Sequence, residues 1–230
     1  MVSRSAEETR LYYEERLGEE FGSIFYLIIC EVCSIHEKWA DYVSLFGTNE
    51  TRIALLNQVS RCFFGRLQDV MWNDILLSLA RLTDPPVSGR NARTNLTLKQ
   101  IPRFVSTPAM LTAFREILED LERKTAFSRD SRNRCLAHND LELSLGKSAR
   151  PLELGSRHDV NEALASISNA LSFISIGIDG VALLIDGDGP LNDSFELLSI
   201  IDDGLRARKS REARILSGDI QREDLAPKPF

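Results

Sequence analysis

The chain has 230 residues, of which 43% are hydrophobic and 27% charged, and it carries a net charge of −6. That length suffices to bury roughly 70% of the unfolded surface, and the composition is that of an ordinary globular protein. The charge gives no general attraction for nucleic acid, and no apolar run nears the ~20 residues of a membrane span. The longest candidate, from Leu171 to Ile185, is interrupted by Gly177, Asp179 and Gly180. The first eight residues, Met1 to Glu8, lack the apolar centre of a signal peptide, so a cytoplasmic protein without membrane contact is expected.

In chain order, apolar residues first recur at Phe21, Ile24, Ile28, Val32, Ile35, Trp39, Tyr42 and Phe46. Steps of three and four place them on one stripe of a helix. Cys30 and Cys33 with His36 imitate a metal site, but they sit inside this stripe with no second ligand pair. Packing is the expected role, and no metal or cofactor is expected. Gly47 stops the helix, and Thr48 or Asn49 can cap the next, which carries Ile53, Leu56, Phe63, Leu67, Val70 and Leu77. That helix ends at Leu82-Thr83-Asp84-Pro85-Pro86, because two prolines cannot continue it.

Residues 84–96 read as a surface loop, followed by a short turn from Leu98 to Phe104. Thr107-Pro108 then opens a helix through Leu111, Phe114, Leu118 and Leu121. Periodicity is lost over 140–157. Asp159 with Glu162 then resembles a capping box ahead of Val160, Leu164, Ile167, Leu171, Ile174, Ile178, Val181 and Ile185. The run Asp186 to Pro190 reads as a turn, since the later positions of a calcium loop are missing. Asp193 and Glu196 start a last helix toward Arg214. The expected fold is all-α, an up-and-down bundle of five to seven helices. Residues 1–215 would form one domain and 216–230 a flexible tail.

Positive charge gathers in two places. Arg206, Arg208, Lys209, Arg211 and Arg214 form one cluster, read as a solvated helix face. Arg123, Lys124, Arg129, Arg132 and Arg134 form the other, which runs into Cys135-Leu136-Ala137-His138-Asn139-Asp140. His138 is one of only three histidines. Imidazole titrates near neutrality and can move a proton, while guanidinium offers phosphate a permanent two-pronged donor. This combination suits cleavage of RNA, in which the 2′-hydroxyl loses a proton, the leaving 5′-oxygen gains one, and phosphate charge is neutralised. Arg132 and His138 are the candidate catalytic pair, Asn133 is a further candidate catalytic residue that orients His138 or binds a phosphate or ribose oxygen, and Arg129 and Arg134 are candidate substrate contacts. On a regular helix Arg132 and His138 lie about 120° apart and Arg134 about 40° from His138. Arg134 is therefore the reserve partner unless the helix is distorted or the site is shared between two chains. The competing structural expectation is that Arg132 pairs with Asp130 or an acid on a neighbouring helix.

Arg132-Asn133, five intervening residues and His138 resemble the signature of the HEPN family of helical ribonucleases, in which four to six residues separate arginine and histidine. The close at Leu136-Ala137-His138-Asn139-Asp140, with Leu79-Ala80-Arg81-Leu82-Thr83-Asp84-Pro85 upstream, looks like its AbiU-like abortive-infection branch. The resemblance covers roughly residues 20–185. It implies a HEPN-like homodimer whose facing motifs form one metal-independent endoribonuclease site, acting in phage defence or as a toxin, with an antitoxin or nucleotidyltransferase as possible partner. The alternative is a non-catalytic HEPN-like module that binds RNA, a nucleotide or a protein.

Overall fold

The computed structural model describes residues 4–47, 49–89, 92–138, 140–148, 150–183, 185 and 193–225. The architecture is all-α. Six helices of twelve residues or more occur among the described residues: α1 (Ala6–Leu17), α2 (Glu19–Phe46), α3 (Glu50–Leu82), α4 (Pro108–Lys124), α7 (Arg157–Asp179) and α8 (Asp193–Ser217). Between α4 and α7 lie the short helices α5 (Ala126–Ser131) and α6 (Leu141–Ser144). The chain clusters into two units, Met1–Trp39 with Met71–Gly187, and Ala40–Val70 with Asp188–Phe230.

In the first unit, α1 was not read from the sequence, although Ser5 and Glu8 form a reciprocal capping box that starts it. α1 meets α2 where Tyr13 sets its ring edge-on to Phe25 at 5.1 Å. The expected α2 stripe is buried at Phe21, Ile28, Val32, Ile35 and Trp39, with Phe25 filling the place expected of Ile24. α4 packs on α7, where Phe114 and Phe173 stack at 6.1 Å. α7 starts three residues earlier than the sequence suggested. Ser156 is its cap and Asp159 the reciprocating residue, because a hydroxyl at 156 reaches the Asp159 amide at 3.2 Å. It also stops earlier, at Gly180 in the left-handed conformation (φ 71°). Residues Asp186 to Pro190, read as a turn, lie outside the described residues.

The loop after α3 carries a two-residue antiparallel hairpin, β1 (Val87–Ser88) with β2 (Arg93–Thr94), too short to register as alternation. A 3₁₀ turn, Leu98–Arg103, follows and buries Leu98 and Ile101.

In the second unit, Asn49 caps α3 by accepting from the amides of Thr51 and Arg52. Within α3, Ser60 leaves helical geometry (φ −163°, ψ 82°). The break resets the helical phase, so Phe63 and Val70 are 52% and 63% exposed while Phe64 is buried. Near the C-terminus, Asp224 in a 3₁₀ turn (Arg222–Asp224) accepts from Arg214 at 3.1 Å. Of the tail expected beyond 216, residues 226–230 lie outside the described ones. No described helix is long and apolar enough to cross a membrane.

Gly22 shows how tightly α1 and α2 meet. A Cβ there would sit 2.4 Å from the backbone of Glu14, which cannot yield as a side-chain tip can. Gly22→Ala should therefore lower stability by about 1–3 kcal/mol, read from the urea midpoint, despite alanine's better helix propensity.

Candidate functional site

The site is built around the C-terminal end of α3. Thr83 is buried, and its hydroxyl faces the carbonyls of Leu79 and Ala80. The hydroxyl of Thr97 donates toward the carbonyls of Leu82 and Asp84 at 2.8 and 2.9 Å, so the chain on either side of Thr83 is pinned. From α5, Arg129 reaches into the same place. Its Nη1 donates to Thr83 Oγ1 at 2.9 Å and Thr125 Oγ1 at 2.7 Å, and Nη2 donates to the Glu122 carbonyl. Arg129, expected to touch substrate, is thus engaged by protein groups that fasten α3 to the α4–α5 junction.

The helix of the motif is distorted. Residues Arg132–Leu136 form a π-turn, closed by the Ala137 amide donating to the Arg132 carbonyl at 2.8 Å. Such widened turns gather at functional sites. The regular-helix angle between Arg132 and His138 does not apply here, because the helix ends before His138, which lies exposed in the following bend. Arg132 points back to the end of α3: its Nη1 donates to both carboxylate oxygens of Asp84. Its Nε donates to Asn133 Oδ1 at 3.1 Å. The pair is partly covered, with side-chain exposures of 22% for Arg132 and 18% for Asp84. Asn133 thus meets Arg132, while no hydrogen bond or ion pair joins Arg132 to His138 among the described residues.

Arg134 faces elsewhere. Nη2 donates to Ser148 Oγ and the Arg150 carbonyl, both at 2.8 Å, Nη1 to the Pro151 carbonyl at 3.2 Å, and Nε to Asp140 at 3.3 Å. Asp130, one turn earlier, holds the Glu153 amide at 2.9 Å and lies 3.5 Å from both Arg134 and Arg150. Together they strap Ser148 and the irregular residues 150–153 to the motif. Five donors in one plane suit carbonyl capture, which lysine's point charge cannot copy. Arg134→Lys should loosen Ser148 and residues 150–153, seen as faster exchange of the Ser148, Arg150, Leu152 and Glu153 amides, with the α7 amides unchanged.

Asp140 caps α6 by accepting from the Leu143 amide at 3.1 Å. That bond first, and then Arg134, hold its carboxyl below the usual aspartate range. A lowered folded value means the cap stabilises fully above the unfolded value near ~3.9 and is lost as pH falls through the folded one. Amide protection over 141–148 should therefore persist at pH 5 and fade only below about pH 4, while Asp140→Asn should remove that pH dependence.

Beside Asp84 opens a cleft of about 360 Å³ lined by Glu31, Ser78, Arg81, Thr94 and Asn95. A larger groove of about 430 Å³ between α2 and α7 contains His36, Trp39, Asn161 and Ser168, and no residue of the motif. His36 Nε2 lies 3.1 Å from Ser168 Oγ, and Trp39 donates to Asn161 at 2.7 Å. Cys33 is half-buried, and burial pushes its thiol up from the usual cysteine value. Among the described residues no group of three His, Cys, Asp or Glu is arranged to hold a metal ion. In the C-terminal cluster, Arg206 pairs with Asp202 at 2.6 Å, Arg208 with Glu212 at 3.0 Å, and Arg211 and Arg214 with Asp224. These carboxylates blunt the cluster's positive potential.

The residue that sequence reasoning missed is Asp84. Its one signal was its place in the Leu79–Pro85 wording. Residues 18–187, containing Asp84, the π-turn and His138, match the family model HEPN_AbiU2, described as AbiU2. The chain belongs to that family. The AbiU2 match ends within the first compact unit and so leaves α8 outside it. Neither a curated protein nor a solved structure matches the chain.

Proposed function

We propose that this HEPN-like chain is a metal-independent endoribonuclease of the abortive-infection or toxin kind, with Arg132 and His138 as its catalytic pair. The observation that carries the reading is the arginine's setting. Nη1 and Nε are engaged by Asp84 and Asn133, while Nη2 has no partner among the described residues. Such a guanidinium is oriented yet keeps a donor for a phosphate oxygen.

His138 is exposed in the adjoining bend, and an imidazole there can take the 2′-hydroxyl proton or protonate the leaving 5′-oxygen. Attack by the 2′-oxygen on phosphorus expels the 5′-oxygen. The products are then a 2′,3′-cyclic phosphate end and a 5′-hydroxyl end. Two motifs facing each other across a homodimer would supply both the proton acceptor and the proton donor. Asn133 steadies Arg132 in this scheme, and Arg129 and Arg134 support the site rather than meeting substrate.

The test is incubation of the pure chain with end-labelled RNA in excess EDTA. Wild type should yield cyclic-phosphate ends, and Arg132→Ala or His138→Ala should each slow cutting by about 10²–10⁴-fold with unchanged helical circular dichroism. Cutting by both variants at the wild-type rate would reject this site. A second reading, a non-catalytic module binding RNA, a nucleotide or a protein partner, draws on Asp84 already neutralising much of Arg132. Binding of the labelled RNA without products would favour it.

A further inference from the structure

We infer that Asp84 is the positioning residue for Arg132, and that the end of α3 is therefore part of the site. This inference rests on the nuclease reading of Arg132. The two residues are 48 apart in sequence, and the contact is made by Nη1 alone, so that Nη2 has no partner among the described residues.

Three features fix the carboxylate before any substrate arrives. Pro85 disfavours helical geometry at Asp84. Thr97 Oγ1 holds the Asp84 and Leu82 carbonyls. Arg129 locks neighbouring Thr83 to Thr125. An arginine at the start of a π-turn has a long flexible stem and would otherwise sample many rotamers. Anchoring Nη1 and Nε removes that freedom and aims the remaining donor. Asp84 also lines the 360 Å³ cleft with Arg81 and Asn95, so the same carboxylate joins the guanidinium to a polar cavity beside it. Asp84 does not touch the reacting atoms. It acts through Arg132.

The experiment compares steady-state cleavage of a single-stranded RNA by the full chain and by Asp84→Asn and Asp84→Glu, with melting curves for each. Asparagine keeps the size but loses the charge, and should lower kcat by about ten- to a hundredfold while KM moves less than about threefold, as expected of misaimed catalytic groups. Glutamate restores the charge at a longer reach and should recover part of kcat. If D84N does not fold, D84E alone decides, with a reduced kcat at unchanged melting supporting the inference and an unchanged kcat overturning it. D84N cutting at the wild-type rate, or a change in KM alone, overturns the inference and leaves the nuclease intact. A wild-type chain that leaves RNA whole overturns both.

Discussion

A partly buried guanidinium finds most of its partners in the protein, and Arg129 does so by tying three parts of the chain together. Its donors go to Thr83 at the end of α3, to Thr125 at the α4–α5 junction and to the Glu122 carbonyl. Leaving such a group unsatisfied costs more than an ordinary hydrogen bond contributes, so the three parts hold one arrangement. That arrangement sets where α3 ends and where the motif begins. Asp84 and Arg132 meet because Thr83 and Arg129, one and three residues away from them, are already fastened.

The other arginines of the segment divide the labour by direction. Arg132 turns toward α3, and Arg134 turns toward Ser148 and residues 150–153. The π-turn that starts at Arg132 ends the regular spacing just where the chain must release His138 to solvent. Thus the cluster that looked like one basic patch contains two arginines serving architecture and one, Arg132, whose Nη2 has no partner among the described residues.

Much of the fold was legible. Most of the stripe residues of α2, α4 and α7 are buried, with Ile24, Leu111 and Ile178 half-buried and Val181, beyond the end of α7, exposed, because each helix is long and amphipathic enough for the pattern to dominate. The phase of α3 was not legible beyond Ser60, since a local break carries no compositional mark. α7 began at Ser156 rather than Asp159 because both residues can cap and only the chain's approach chooses between them. At the site, Arg132, Asn133 and His138 are legible as candidates from residue type and spacing. Asp84 was not, because a pairing across 48 residues is a property of the packed helices. Likewise, nothing in sequence separates an arginine that grips carbonyls, such as Arg134, from one that pairs with a distant carboxylate, such as Arg132.

The widened turn has one more implication. A loop of backbone closed from residue i to i+5 accommodates one residue more than an ordinary helical turn, and it can shed that residue by tightening. A one-residue deletion between Arg132 and His138 can therefore be absorbed locally, with both flanks kept in register. A spacing that varies from four to six in such signatures would then reflect mechanical slack in the scaffold, leaving the chemistry at either end unaltered.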